Sequence, residues 1–232
     1  MKPGRLFLGI LLLLLAGGVY FGIQTKASFI SNVQLDSYMN HDNVLLSLID
    51  SERVSSIYFY NEIKTAGELE KQSALIVKAK VTEDRKNYSH AVRSGVQVLE
   101  VYKGNGSLKG SKIYIFEPSN FLDTNYFSFG GYQLMQTGKE YILFINPLKK
   151  PKHYSYKNDE AISYMPVSSH YGKFPLQEAP GSGKLRVLTQ EELDQGVPYS
   201  QIKDWDILTM KEGILKTYMK IKQDVLSTLV NS

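Results

Sequence analysis

Apolar and polar residues alternate most regularly in ALIVKAKVT, residues 74–82, where Leu75, Val77, Ala79 and Val81 fall on one side and Lys78, Lys80 and Thr82 on the other. A period of two places successive side chains on opposite faces of an extended chain, so this segment predicts a half-buried strand. A second unit follows the polar loop EDRKNYSH. In VQVLEVYKGNGSLKGSKIYIFEP, residues 96–118, two runs rich in β-branched and aromatic residues flank Gly104, Gly106 and Gly110. That pattern predicts a hairpin with arms at 92–102 and 112–117, and Pro118, which has no amide hydrogen for a ladder, ends the second arm. KEYILFINP (139–147), AISYMPV (161–167) and KLRVL (184–188) predict further strands, and IYFY (57–60) a short one. Between them, SNFLDTNYFSFGGYQLMQTG (119–138) reads as an aromatic-rich loop and HYGKFPLQEAPGSG (170–183) as a Gly- and Pro-rich connection.

The period lengthens in three places. Val44, Leu45, Leu48 and Ile49 stand at helical spacing, which predicts a short helix or a stalk over 28–56. Thr65 with Glu68 has the spacing of a capping box and opens a helix of one or two turns. Thr189 with Glu192 and Thr209 with Glu212 repeat that spacing, separated by Gly196 and Pro198. In the last helix, expected over 210–230, Ile214, Tyr218, Ile221, Val225 and Leu229 form one face and Lys216, Lys220, Gln223 and Ser227 the other. The apolar face needs a partner surface, for which the strands are the candidate; Lys222, on the apolar side, is expected to snorkel to water.

Composition and charge refine this picture. The chain has 232 residues and no cysteine, which excludes disulfides, thiolate metal sites and a cysteine nucleophile. Of its 27 basic residues, Lys2, Arg5 and Lys26 flank the first apolar run, and the 24 that remain face 23 acidic ones. No nucleic-acid partner is expected from so even a balance. The run itself, residues 6–23 from Leu6 to Ile23, carries no charge and at about 1.5 Å per residue in a helix is long enough to cross a bilayer. It predicts a signal-anchor over 1–26, with the N-terminal charges in the cytoplasm and all that follows outside. Cleavage after Ala16-x-Gly18 or Thr25-x-Ala27 is the alternative, giving a secreted protein. The segments then are an anchor (1–26), a lead-in or stalk (27–63), a barrel (64–188) and a C-terminal helical segment (189–232). The predicted fold is mainly β: an OB-like antiparallel β-barrel of five to six strands, with a short N-terminal helix and C-terminal helices packed on it, preceded by a transmembrane helix.

ELEKQSALIVKAKV, VQVLEVYKG and GGYQLMQTGKEYILFI, with the weaker YGKFPL before KLRV, resemble the netrin-like or TIMP-like barrels, in the cysteine-free form found in envelope proteins of Gram-positive bacteria. The matching Leu134, Gly138, Lys139, Glu140 and Tyr141 start a central strand in such domains. The resemblance covers about half the chain, residues 68–188, and rests on turn glycines and strand residues, so it implies an OB-fold and says little of activity. Metalloprotease inhibitors of that superfamily chelate zinc through an N-terminal cysteine, and a chain without cysteine cannot carry that mechanism.

No nucleotide-binding, zinc-protease, EF-hand or nucleophile-elbow motif occurs. His41, His153 and His170 lie in separate polar segments without the spacing that lets one element supply two metal ligands, so no metal and no cofactor is expected. The most suggestive feature is aromatic: Phe121, Tyr126, Phe127, Phe129 and Tyr132 crowd one loop, with Tyr154, Tyr156 and Tyr171 in later ones. Two readings stay open. The rings line a binding surface for an envelope polymer or protein, as OB-fold faces do, or they plug the barrel end. The expected function is a membrane-anchored, non-enzymatic binding module, with an enzyme of unrecognised site or a purely structural barrel as alternatives.

Overall fold

A computed structural model describes residues 35–39, 43–49, 57–176 and 185–230. The apolar run at Leu6 to Ile23 lies outside them, and among the described residues no helix is long and apolar enough to cross a membrane.

The alternation at Leu75 becomes the first barrel strand, β2 (Leu75–Asn87), and the Gly-rich hairpin supplies β3 (Val92–Lys103) and β4 (Lys112–Glu117). β7 (Glu140–Pro147) and β8 (Ser163–Pro166) complete the set in the order β2-β3-β4-β8-β7, and β7 pairs back onto β2. The barrel is thus closed by five strands. All its ladders are antiparallel except β4 with β8, where Tyr114 and Ile115 run parallel to Ser163 and Tyr164. A short extra strand, β9 (Lys173–Pro175), lies along the remaining edge of β7. The closed barrel is compatible with an OB-like fold.

β2 is longer than its hydrophobic pattern. Its register against β3 shifts between Val81 and Arg85, so the polar stretch expected as a loop continues the strand past a bulge. Gly95 makes this possible: a Cβ there would sit 2.9 Å from Thr82 Oγ1 and 3.0 Å from the Asp84 carbonyl. Thr82 instead donates its hydroxyl to the Gly95 carbonyl at 2.9 Å.

A second sheet corrects two expectations. Residues 119–129 form a hairpin, β5 (Ser119–Leu122) and β6 (Asn125–Phe129), rather than a loop. Residues 45–49, read as helical, form β1 (Leu45–Ile49), parallel to β6 and paired with it from Leu45 opposite Asn125 to Ile49 opposite Phe129. The turn between β5 and β6 puts Asp123 at φ 52°, a left-handed conformation that Asp tolerates better than most residues. Two expected strands are absent: Ile57 and Tyr58 are helical, and residues 185–188 form no strand, although Leu188 N–H donates to the Thr209 carbonyl at 2.8 Å.

Before and after the sheets come α1 (Leu35–Met39), α2 (Ala66–Gln72), α3 (Gln190–Gln195), α4 (Tyr199–Ile202) and α5 (Glu212–Leu229). Thr65 Oγ1 caps α2 by accepting from Glu68 N–H, and α3 has the full reciprocal box between Thr189 and Glu192. The third spacing does not act as a box. α5 starts at Glu212 with Lys211 as its N-cap, and Thr209 Oγ1 accepts from Lys211 N–H at 3.1 Å. The helix α4 was not signalled by any pattern.

β7 is buried on both sides. Tyr141, Leu143 and Ile145 face the barrel interior with Val77, Ala79, Val81, Val96 and Ile113, while Ile142 and Phe144 face outward under α5. The helix meets them with Leu215, Tyr218, Ile221 and Val225, all buried; three of these belong to the predicted stripe, whose Ile214 and Leu229 are only part-buried, and Leu215 takes the place at its start. Each such aliphatic side chain contributes roughly 1.5–3 kcal/mol by leaving water. Lys222 does not snorkel: its Nζ is 2.7 Å from Oδ2 of Asp206, whose side chain is 8% exposed.

Candidate functional site: an apolar groove between the two sheets

Where the small sheet meets the barrel, the chain leaves a groove of about 460 Å³. Ile49 and Phe129, register partners at the ends of β1 and β6, form one wall. Phe116 and Pro118 at the end of β4, with Met165 on β8, form the barrel side. Leu148 and Lys149 follow β7 into the rim, Tyr58 and Phe59 stand across from them, and His90 and Ala91 close the β2–β3 turn.

Strand geometry explains the aromatic wall. Along β6 the residues alternate, Tyr126 and Ser128 buried and Phe127 and Phe129 half-buried, so one face of the hairpin enters the core and the other is left for the groove. Along β4 the same rule turns Phe116 outward and Glu117 inward. Tyr88 packs on Phe116 with ring centroids 6.0 Å apart. Lys149 is fixed at the rim by donating to the Ile57 carbonyl at 2.6 Å, and its ammonium lies 5.8 Å from the Tyr58 ring centre. Tyr156 supports the same rim through a hydrogen bond from its hydroxyl to the Leu148 carbonyl. Ile57, Tyr58 and Tyr60, each at least half exposed, extend apolar surface beside the groove.

Of the aromatic residues singled out in the sequence, the fold brings Phe129 into the groove and Tyr156 to its rim. Phe127 stays half-buried on the groove-side face of β6, and Tyr154 is exposed with its hydroxyl on Glu160 at 2.6 Å. Phe121, Tyr126, Tyr132 and Tyr171 are all buried. Phe121 and Tyr126 pack with Tyr199 of α4, centroids 4.6 to 5.0 Å apart. The Tyr126 hydroxyl donates to the Tyr132 carbonyl, and burial pushes the pKa values of Tyr126 and Tyr132 well above the ordinary phenolic range. Sequence reasoning missed Phe59, Phe116, Leu148 and Met165, which come from four separate stretches of the chain, β4, β8 and two connections. The available signals were the exposed IYFY and the basic run beginning at Lys149.

The polar interior is a second concentration of chemistry. Glu117 is fully buried, and its oxygens accept from Arg85 Nη2 at 3.0 Å, Ser94 Oγ, Tyr132 OH at 3.1 Å and Met135 N–H at 2.7 Å. Lys173 Nζ lies 5.2 Å from the Tyr132 ring centre and 5.6 Å from that of Tyr141, and donates to the Asp206 carbonyl at 3.2 Å. Burial lowers the pKa of this ammonium to about 8, against the opposing pull of Asp206 and Glu117. Asp206 Oδ2 also accepts from Tyr218 OH and Lys222 Nζ. Among the described residues Arg85 Nη1 alone of these groups finds no partner, and through Asp206, Tyr218 and Lys222 the cluster ties the barrel to α5.

A larger cavity of about 740 Å³ lies beside α3 and α4, lined by Arg186, Glu192, Asp204 and Trp205. Its charges are already engaged: Arg186 pairs with Glu192 at 2.6 Å and stacks over Trp205, and Asp204 accepts from Gln136 at 2.8 Å. Among the described residues no group of three His, Asp or Glu side chains converges as metal ligands. The chain matches no protein-family model and no curated protein.

Proposed function

We propose that this is a membrane-anchored, extracytoplasmic, non-enzymatic binding module of the netrin-like or TIMP-like type, which takes its ligand in the groove between the barrel and the small sheet. The observation that carries the reading is the groove itself: concave, of a volume within the roughly 300–1,000 Å³ range of small-molecule sites, and lined by Phe59, Phe116, Phe129, Leu148 and Met165. Apolar surface left unpaired by both sheets costs free energy in water, and a ligand that covers it recovers that cost. The uncharged run from Leu6 to Ile23, flanked by Lys2, Arg5 and Lys26, supports the address.

A purely structural barrel is the second reading, favoured by the inward rings of Phe121, Tyr126 and Tyr132. One experiment separates them. The full chain, held in discs of zwitterionic lipid, is exposed to an uncharged twelve-carbon alcohol bearing a photoreactive diazirine, and labelled peptides are mapped by mass spectrometry. Saturable labelling around Phe59, Phe129 and Leu148, lost in Met165→Trp, which fills the groove, supports the module. Unsaturable labelling that Met165→Trp leaves unchanged supports the inert barrel. For the address, protease added to intact cells is expected to degrade the domain; its survival in the cytoplasmic fraction overturns that part.

A further inference from the structure

We infer that the groove binds a single-chain amphiphilic anion, its apolar chain lying among Phe59, Phe116, Phe129 and Met165 and its carboxylate or phosphate head meeting Lys149. The inference rests on the groove reading above and adds the charge and shape of the ligand.

The charge follows from what surrounds the rim. Among the described residues no carboxylate lines the groove, whereas Lys149 and His90 do. Residues 148–157 contain four lysines, one histidine and no acid. Among the described residues no carboxylate pairs with Lys149, Lys150 or Lys152, although elsewhere on the barrel Lys78, Lys109 and Lys112 each have one within 3.0 Å. The nearest acids along the chain are engaged elsewhere: Asp159 with Arg93 at 3.0 Å, and Glu160 with the Tyr154 hydroxyl and the Lys157 amide. Among the described residues the rim therefore carries lysines that no carboxylate pairs, which favours an anion there.

The head-group contact follows from Lys149. Its link to the Ile57 carbonyl uses one of three N–H donors and holds the ammonium at the rim, leaving two for an anion. A fixed donor loses less side-chain freedom on binding than a mobile one. The shape follows from concavity: a cleft of about 460 Å³ admits one chain, and the exposed Ile57, Tyr58 and Tyr60 beside it make a bilayer face the competing occupant that the labelling test separates.

The test compares diazirine-bearing dodecanoate with the matching dodecanol on the full chain in zwitterionic lipid discs, reading the concentration for half-maximal labelling of the groove peptides. Dodecanoate is expected to label at about fivefold lower concentration than the alcohol, an advantage that Lys149→Gln removes and 0.5 M salt reduces, while labelling by the alcohol is unchanged. Equal labelling by acid and alcohol, or an advantage that survives Lys149→Gln, overturns the anionic ligand but leaves the groove reading intact. Absence of groove labelling by either probe overturns both. Two further outcomes overturn the single-chain ligand: competition by anionic phospholipid in the disc but not by free dodecanoate, which marks membrane docking, and a dimer in sedimentation that Met165→Trp abolishes, which marks a second copy of the chain.

Discussion

Phe116 and Glu117 are neighbours on β4, yet one faces an open apolar groove and the other sits in a sealed polar interior. Each inverts the usual distribution, in which apolar side chains are inside and charges are outside. The difference lies in what completes each group. Around Glu117 four donors fill the carboxylate's lone pairs, so the buried charge is held within the fold. Around Phe116 the two sheets converge on a groove that no element among the described residues covers. The first region holds its charge within the fold; the second is where the proposed ligand would sit.

The largest effect is expected from the sealed side. Glu117→Ala leaves Arg85 buried without its carboxylate and should cost about 3–5 kcal/mol in urea denaturation, as for other broken buried pairs. A loss under 1 kcal/mol on this scale, roughly that of an exposed pair, would place Arg85 in contact with water and dissolve the contrast. Phe121→Ala, in the ring cluster behind the groove, should lose a similar amount, about 3–5 kcal/mol, by opening a cavity.

Lys173→Met is expected to shift stability with a defined sign. The pKa of Lys173 is about 8 in the fold against 10.5 ordinarily, so between these values the unfolded chain binds more protons and stability rises with pH. Below pH 8 the full penalty is present, about 3 kcal/mol for a shift of this size. The variant should therefore be more stable than the parent at pH 7, and the gap should close as pH approaches 10.5. A gap that is constant from pH 7 to 10 would show that the ammonium is not desolvated.

The smallest effect belongs to the groove. Phe129→Ala should lower stability by only about 1 kcal/mol, because the ring is half-buried, while weakening labelling by the alcohol probe. A loss as large as that of Phe121→Ala would assign Phe129 to the core and remove the wall of the proposed site.

Much of the frame was legible because its signals are local. The alternation at Leu75 to Val81, the Gly-rich hairpin, the stop at Pro118 and the stripe of α5 each lie within one element, where period and turn chemistry act directly. The hairpin of β5 and β6 was hidden because aromatic residues occupy both its faces, Tyr126 inward and Phe127 and Phe129 outward, which erases the alternation. β1 was misread because Val44, Leu45, Leu48 and Ile49 fit a helical spacing, and only pairing with β6, about eighty residues away, makes the segment extended. For the site, the aromatic richness of 119–138 was visible, but not which rings would be left over.

The order of residues alone carried a mainly β frame, a last helix with one apolar face and the absence of thiol chemistry. These depend on residue type and near-neighbour spacing. Packing across the whole chain was needed for the barrel to close through the parallel pair of β4 and β8, for Phe121, Tyr126 and Tyr132 to go inward, and for Phe59, Phe116, Phe129, Leu148 and Met165 to meet around one groove. The physical reason is that burial and cavities are properties of surfaces brought together from distant parts of the chain, and a strand's two faces acquire their roles only when another sheet covers one and leaves the other bare.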